Sequence, residues 1–287
     1  MSRKQRKQNV PSHSGYKRIN ISSTIILILI IFLTMFPFYI MIVGSFKPAI
    51  ALNKFPVDLN PFRNLTLKNV AAVWEKSDIL IWLKNTLIIG IAVAFGTIFV
   101  GVLGGYAFAR IDFKGKNVLF MLVMATMMMP KQVLLIPNYL VANQLHLTNS
   151  LFGVVVTSIA PAFGVFLSRQ FIQSIPSELF EAAEIDGCGE VRKFFRIALP
   201  LSMPAVGTIG IFSFFNCFND YLWQLVMISD KKLKTLPIGI ALYAETMRNN
   251  KAAQLAVALF ATVPVVVLFL FCQKFFIKGA TEGGVKG

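Results

Sequence analysis

One polar segment, residues 174–200, combines acidic side chains with small apolar ones in a spacing suited to docking another macromolecule. Leu179, Ala182 and Ala183 fall at positions i, i+3 and i+4, which places them on one face of a helix. The acidic residues of the segment are Glu178, Glu181, Glu184, Asp186 and Glu190. Alanines on such a face permit close approach by a second surface, so the segment is predicted to be a docking site.

The same segment has the signals of two short helices joined by a turn. Pro176 suits a first helical turn, and Gly187 and Gly189 break the helix because glycine tolerates a left-handed backbone. A second amphipathic stretch places Val191, Phe194, Phe195 and residues 197–198 on its apolar side and Arg192, Lys193 and Arg196 on its polar side. An interfacial helix on lipid headgroups is the alternative, although the acidic residues oppose contact with a negatively charged inner leaflet.

The composition is that of a chain that lies mostly in lipid. Hydrophobic residues make up 56% of the 287 residues and charged residues 14%, whereas soluble domains have about 45–50% apolar and roughly 25% charged residues. The net charge of +15 does not indicate nucleic-acid binding, because the basic residues flank apolar runs as membrane anchors do and no nucleic-acid-binding signature occurs. The sequence therefore predicts an all-α membrane protein.

The sequence lacks the groups that catalysis or metal binding would require. It contains no phosphate-binding loop of the form GxxxxGK[ST] and no nucleophile–base pair within its apolar segments. The three cysteines and two histidines have no metal-ligand spacing, so neither a zinc site nor a disulfide framework is expected. We therefore expect no enzyme activity in this chain and no cofactor bound to it.

Six apolar segments are long enough to be membrane helices, which need about 20 residues each. They are residues 23–46, 83–109, 117–140, 151–172, 201–222 and 256–277. Pro130 and Pro137 predict a kinked or unwound outer end of the third segment, and Pro204 interrupts the fifth near its start. A six-span chain without its own energy source either forms a channel by oligomerisation or depends on a partner.

Basic residues near the ends of the spans predict their orientation. With the N-terminus inside, 16 of the 28 basic residues lie on the inner side and 12 on the outer side. The excess on the inner side comes from the short loop 110–116 and the N-terminal cluster. Both termini are therefore predicted to be cytoplasmic. Residues 1–20 are predicted to be a disordered basic tail, and residues 21–287 a single transmembrane domain.

Two segments are then external, residues 47–81 and 223–254. The first has an amphipathic helical pattern near residues 67–74. Both are long enough to meet a soluble external partner, and solvated connectors are the alternative.

The polar segment resembles the signature of the permease subunits of bacterial ABC importers, which reads Glu-Ala-Ala, three residues, Gly, nine residues and Ile-x-Leu-Pro. The matching residues are Glu181, Ala182, Ala183, Gly187, Ile197, Leu199 and Pro200. Asp186 directly precedes the glycine and is assigned to the same site. The full spacing is specific, whereas Glu-Ala-Ala alone would be uninformative.

The chain from about residue 17 to 287 resembles the carbohydrate-uptake branch of these permeases, in particular the smaller permease subunit of the maltose transporter. The motifs shared with that branch lie at residues 45–48, 85–87, 106–110, 129–130, 136–137, 218–223, 235–237 and 279–287. Phe218 and Gln224 depart from the pattern, at positions where tryptophan and proline are common.

The resemblance implies the type I ABC importer permease fold, with six transmembrane helices and a coupling helix in the cytoplasmic loop between spans four and five. It implies a complex in the bacterial cytoplasmic membrane with a second, different permease, an extracytoplasmic solute-binding protein and two ATPase subunits that bind ATP and Mg²⁺. Glu181 would be the principal polar contact to the ATPase, Ala182 and Ala183 would supply close packing, and Gly187 would form the turn. The C-terminal segment from Gly279 would also reach between the ATPases.

A saccharide substrate is implied as well, and sugars are bound by amide groups and aromatic faces. Candidate residues along its path are Asn216, Asn219, Asp220, Tyr221 and Trp223. Contacts between helices and anchoring at the membrane interface are alternative roles for this set. A glycerol-phosphate or polyol importer is the alternative substrate class, although the spans lack the basic groups that an anionic substrate would favour. A channel or secondary carrier, which would require buried charges, and a membrane scaffold are the alternative functions.

Overall fold

The computed structural model describes residues 21–282, excluding the side chains of Lys76 and of residues 271–282. All regular structure in this range is helical. In chain order the helices are α1 (Ile21–Ser45), α2 (Ala49–Asn53), α3 (Lys68–Lys76), α4 (Ile79–Arg110), α5 (Lys116–Met127), α6 (Leu135–Gln144), α7 (Leu151–Ser158), α8 (Pro161–Ser174), α9 (Ser177–Ile185), α10 (Glu190–Lys193), a π-helical turn (Phe194–Ala198), α11 (Leu199–Leu201), α12 (Met203–Phe218), α13 (Tyr221–Met227), a 3₁₀ turn (Lys231–Leu233), α14 (Leu236–Thr246) and α15 (Lys251–Glu282). The predicted tail, residues 1–20, lies outside the described residues.

Three helices, α1, α4 and α15, are long and apolar enough to cross a membrane. They coincide with the first, second and sixth predicted spans. Two bent helix pairs each have the length and composition of one further span: α7 with α8, and α10–α11 with α12. Helix α5 has 12 residues, about 18 Å of helix, and is too short to cross the hydrocarbon core alone.

The breaks in the third and fourth predicted spans occur close to prolines. The fourth is bent by 44° between α7 and α8, a break that the apolar pattern did not predict. Pro161 begins α8, and proline has no N–H to donate to the preceding helical turn. The Thr97 hydroxyl on α4 instead accepts a hydrogen bond from the Ala160 N–H at 3.3 Å. In the third span, α5 ends at Met127 ahead of Pro130, in agreement with the predicted unwinding.

Helix α4 lies at the centre of the bundle and packs most extensively against α8. The two backbones meet at Gly101 and Gly164, where a Cβ atom added to Gly101 would lie 2.6 Å from the Gly164 Cα. One turn further along α4, a Cβ atom on Gly105 would lie 2.4 Å from the Ser168 Cβ. Small residues four positions apart allow this close approach of helices in a membrane. The contact holds α8, the helix that leads into segment 174–200, directly against α4.

The second predicted external segment is bonded to the start of α4. The Asn85 amide donates to the carbonyls of Lys232 and Lys234, both at 2.9 Å, and the Thr86 hydroxyl accepts from the Leu236 N–H at 2.7 Å. The first predicted external segment contains α3, where the sequence predicted a helix. The described parts of both segments are therefore ordered by the bundle.

Candidate functional site

Segment 174–200 forms the two short helices and the turn that the sequence predicted. Helix α9 begins after Pro176 and ends at a turn in which Gly187 has a φ of +74°. The Gly187 N–H bonds the Glu184 carbonyl and the Cys188 N–H bonds the Ala183 carbonyl, both at 2.9 Å, so the last carbonyls of α9 are satisfied. Gly189 precedes α10 with a φ of −69° and does not require glycine's left-handed freedom.

Replacing Gly187 with alanine is expected to destabilise the turn by about 1–2 kcal/mol, because an L-residue is strained at positive φ. No atom lies within 4 Å of an added Cβ, so the backbone conformation alone sets the cost. Amide hydrogen exchange of α9 in nanodiscs should then accelerate roughly five- to thirtyfold. Gly189→Ala is the matched control, and equal effects of the two substitutions would contradict the assignment.

Arg110, the last residue of α4, fastens this segment to the bundle. Its Nη2 donates to the Ile172 carbonyl at 2.9 Å and to the Ile175 carbonyl. These carbonyls belong to the end of α8, where a cation also complements the helix dipole. The guanidinium carbon lies 4.2 Å from the ring centroid of Phe180, the buried residue of α9. One side chain therefore contacts the end of α8 and the beginning of the docking segment.

A second attachment joins α10 to α4. The Tyr106 hydroxyl donates to Glu190 Oε2 at 2.7 Å, and its ring packs edge-on against Phe194 at 5.3 Å between centroids. Lys193 Nζ donates to Glu190 Oε1 at 3.0 Å and to Glu184 Oε2 at 2.9 Å. This chain of bonds connects α4, α10 and α9, so the two loop helices and α4 are held as a unit.

Two predictions for the second loop helix are wrong. Lys193 was assigned to the polar side with Arg192 and Arg196, but its side chain is buried between two carboxylates. The predicted single apolar side is divided: Phe194 is buried, whereas Val191 and Phe195 are exposed. Lys193 is buried because Glu184 and Glu190 approach it from two helices. From Phe194 to Ala198 a π-helical turn changes the spacing of the faces, because a π-helix has more residues per turn than an α-helix.

The Glu190–Lys193 pairing should be insensitive to pH near neutrality. The Tyr106 hydroxyl and then Lys193 lower the pKa of Glu190 below 4.5, and Glu184 and Glu190 raise the pKa of Lys193 above 10.5. The stability that Glu190 contributes to the folded state is present above its ordinary pKa and is lost as pH falls through the lowered value. The stability that Lys193 contributes is complete below its ordinary pKa and is lost as pH rises through the raised value. Protection of α10 amides, corrected for intrinsic exchange, should therefore be constant from about pH 6 to 9, and a transition inside that window would contradict the pairing.

The opposite side of the segment faces outward. Glu181, Ala182 and Asp186 are exposed and Ala183 is half-buried. Ile185, 88% exposed, adds a large apolar side chain to this face, which the sequence analysis did not assign to the site. Beside it lies a concavity lined by Gly187, Gly189, Glu190, Val191, Arg192, Phe195 and Arg196. The outward face of α9 therefore combines carboxylates with exposed apolar groups on a firmly held support.

The signature residues at the end of the segment have a different environment. Ile197 and Leu199 pack against a core cluster that includes Val102, Ile172 and Ile209, while Pro200 is exposed. Proline at position 200 has no N–H to donate to a preceding carbonyl, which favours the irregular turn before it. These residues join the docking segment to α12 rather than lining its outward face.

The candidate substrate-path residues lie around the break between α12 and α13. Asn216, Asn219 and Tyr221 are exposed. Asp220 caps α13 through a hydrogen bond from the Trp223 N–H at 3.2 Å, and Trp223 Nε1 donates to the Thr157 hydroxyl on α7 at 3.0 Å. Asp220 and Trp223 thus have structural contacts of the kind expected for helix–helix packing.

These features define a polytopic helical membrane protein that presents a firmly attached polar docking segment. Residues 98–281 match the family described as binding-protein-dependent transport system inner membrane component. The chain belongs to this family, as its resemblance to the ABC importer permeases predicted. It is accordingly a multi-pass component of the cytoplasmic membrane and a transport permease rather than an enzyme.

Curated relatives match over nearly the whole chain. The arabinooligosaccharides transport system permease protein AraQ of Bacillus subtilis (strain 168) is 36% identical over 96% of this chain and 98% of its own length. AraQ of Halalkalibacterium halodurans is 36% identical over 90% of this chain and 93% of its own. The sn-glycerol-3-phosphate transport system permease protein UgpE of Yersinia pestis bv. Antiqua is 30% identical over 92% of this chain and 96% of its own.

Two solved structures have the same fold. One chain is from a bacterial ABC transporter involved in the import of the acidic polysaccharide alginate, with a TM-score of 0.78, 20% identity and coverage of 89% of this chain and 95% of that chain. The other is from a bacterial alginate ABC transporter in complex with an alginate pentasaccharide-bound periplasmic protein, with a TM-score of 0.65, 17% identity and coverage of 88% and 92%.

Proposed function

We propose that this chain is a permease subunit of an ATP-driven ABC importer for a saccharide, and that the outward face of α9 couples it to an ATPase subunit. It forms half of the translocation path, and a second, different permease forms the other half. Two ATPase subunits bind ATP and Mg²⁺, and an extracytoplasmic solute-binding protein delivers the sugar. The observation that carries this proposal is the exposed Glu181–Ala182 face on a segment attached to α4 and α8.

The proposed topology has six spans with both termini in the cytoplasm. Helices α1, α4 and α15 cross alone, the pair α7–α8 forms the fourth crossing, and residues 201–222, mostly α12, form the fifth. The remaining crossing is α5 together with the chain up to α6, interrupted at residues 128–134. Segment 174–200 then lies in the cytoplasm between the fourth and fifth crossings, which is where an ATPase subunit would reach it.

The attachment of the segment explains how it would transmit force. ATP binding closes the ATPase dimer, and a helix docked on that dimer has to move with it. Because α9 and α10 are fastened to α4 by Arg110 and Tyr106, their displacement moves α4, and α4 in turn carries α8 at the glycine contact. Coupling requires that each state of the bundle has different contacts with nucleotide or solute.

An oligosaccharide is the substrate class best supported by the relatives. The arabinooligosaccharide permeases are 36% identical to this chain, and the glycerol-3-phosphate permease is 30% identical, so the alternative substrate is less favoured. Asn216, Asn219 and Tyr221 are the proposed sugar contacts because they are exposed near the end of α12. Asp220 and Trp223 would position the break that presents them.

Uptake by the reconstituted complex tests this proposal. Proteoliposomes that contain this chain, its partner permease, the ATPase and the binding protein should accumulate labelled arabinooligosaccharide only when ATP is present on the side of the membrane that carries the ATPase. Uptake of labelled glycerol 3-phosphate is measured in parallel as the comparison substrate. Uptake without ATP would contradict an ATP-driven importer and favour a carrier or channel. Unchanged uptake after Asn216→Leu together with Tyr221→Leu would contradict the proposed sugar contacts.

A further inference from the structure

Two phenylalanines in the first predicted external segment are almost entirely exposed. Phe55 is 95% exposed and Phe62 is 90% exposed. A phenylalanine side chain presents about 150–250 Å² of surface, mostly apolar, so removing two such rings from water would be strongly favourable.

The exposure does not arise from a loose chain. The Lys47 side chain is fully buried, and its Nζ donates to the carbonyls of Asn60, at 2.6 Å, and Arg63, and lies 3.4 Å from the Asp58 carboxylate. Asp58 also accepts hydrogen bonds from the Asn60 N–H at 3.1 Å and from Asn64 Nδ2 at 3.3 Å. Residues 58–64 are therefore tied to the end of α1, and the ring of Phe62 is presented from a fixed support.

A hydrogen bond to α1 gives the depth of this segment relative to the membrane. The Tyr39 hydroxyl donates to the Leu59 carbonyl at 2.7 Å. Tyr39 lies six residues before the end of α1, or about 9 Å back along the helix axis. From Ile25, where the apolar run of α1 begins, to Tyr39 the helix is about 21 Å long, so Tyr39 lies in the outer third of the ~30 Å hydrocarbon core. The segment thus folds back to the level of the lipid headgroups and upper acyl chains.

The charges beside the rings suit the same location. Lys54 adjoins Phe55 and Arg63 adjoins Phe62, and both basic residues are exposed. Aromatic rings at the boundary of the hydrocarbon core with cations beside them are typical of residues anchored at a membrane interface. The cations complement lipid phosphates, while the rings leave water.

We infer that residues 54–63 are an interfacial anchor that inserts Phe55 and Phe62 among lipid headgroups and upper acyl chains. The inference is independent of the proposed transport function, since it depends only on α1 as a membrane helix. A soluble external protein is a weaker candidate for the partner that covers Phe55 and Phe62, because the Tyr39 contact places the segment at the depth of the lipid.

Tryptophan quenching in nanodiscs tests the anchor. Full-length Phe62→Trp and Phe55→Trp variants are compared with the native chain, whose three tryptophans contribute a constant background. The additional emission should be quenched at least twofold by lipids with brominated acyl chains and be shielded from aqueous iodide. Both native rings lie in open surroundings, so these substitutions leave the packing intact. Ile185→Trp, at an equally exposed apolar position on the proposed ATPase face, should show the reverse pattern.

Two results would overturn the anchor. Iodide quenching without bromolipid quenching for both variants would place the rings in water. Iodide quenching that disappears only when purified solute-binding protein is added would assign the surface to that protein. Neither result would affect the proposed transport function, which is measured separately by uptake.

Discussion

Substituting leucine for Gly101 is expected to eliminate the folded protein from the membrane. Its Cβ atom would lie 2.6 Å from the Gly164 Cα and 2.8 Å from the Gly164 carbonyl carbon. These are backbone atoms, so no rotamer change relieves the overlap and α8 has to move away from α4. Overpacking costs about 1–3 kcal/mol for added methylenes in a well-packed core, and displacing one helix from another costs more. We expect less than a tenth of the native yield of monodisperse protein in size-exclusion chromatography.

Gly210→Ala, paired with Gly101→Ala, is the matched control for this prediction. Gly210 also lies in a membrane helix, α12, but a Cβ atom there would meet only the flexible tip of Ile98, at 3.0 Å. This variant should retain native yield. Normal yield of the Gly101→Leu variant would mean that α4 and α8 do not cross at the glycines, and the route from segment 174–200 to the bundle would have to be different.

Replacing Arg110 with methionine is expected to uncouple ATP hydrolysis from uptake. The change removes two hydrogen bonds from a charged donor, worth about 1.5–3 kcal/mol each, and the contact with Phe180, worth about 0.5–2 kcal/mol. At the lower end of these values, a loss of about 3.5 kcal/mol lowers the population of the attached segment roughly three hundredfold. Uptake should fall at least tenfold while the complex still assembles and hydrolyses ATP.

Arg110→Lys separates charge from geometry in the same position. Lysine retains the positive charge but has neither the planar fork nor the stacking surface of arginine, so its uptake should lie between that of the native protein and the methionine variant. Parallel loss of uptake, hydrolysis and assembly in Arg110→Met would indicate a purely structural role. Unchanged uptake would contradict the attachment of α9 to α4 as the coupling route.

The sequence was informative where local chemistry decides the structure. Gly187 was predicted to form the turn because a positive φ favours glycine, and it has that conformation. The burial of Lys193 was not predictable from the pattern, because it depends on Glu184 and Glu190 approaching from two helices. Pattern analysis assigns a lysine to the polar side by default, and only the tertiary arrangement supplies the two carboxylates.

Arg110 illustrates a second limit. From the sequence, Arg110 was interpreted as a positive charge that sets membrane orientation and as the last residue of the shared motif 106–110. Its attachment role was not predicted, because its partners are backbone carbonyls and carbonyls have no sequence signature. The bend between α7 and α8 was missed for a similar reason. The apolar run is continuous through Pro161, and the Ala160 N–H at the bend donates to the hydroxyl of Thr97, which belongs to another helix. The three continuous spans, whose signal is local hydropathy, were predicted closely.

Charge reversal at Glu181 tests most directly whether the outward face of α9 docks on the ATPase. In the reconstituted complex, Glu181→Lys should abolish saccharide-stimulated ATP hydrolysis and uptake while the subunit remains folded in the membrane. Glu75→Lys, the same reversal at an exposed residue of α3, should leave both activities near native values. If Glu181→Lys transports normally, segment 174–200 does not couple the permease to the ATPase, and helices α9 and α10 lie instead on the lipid surface.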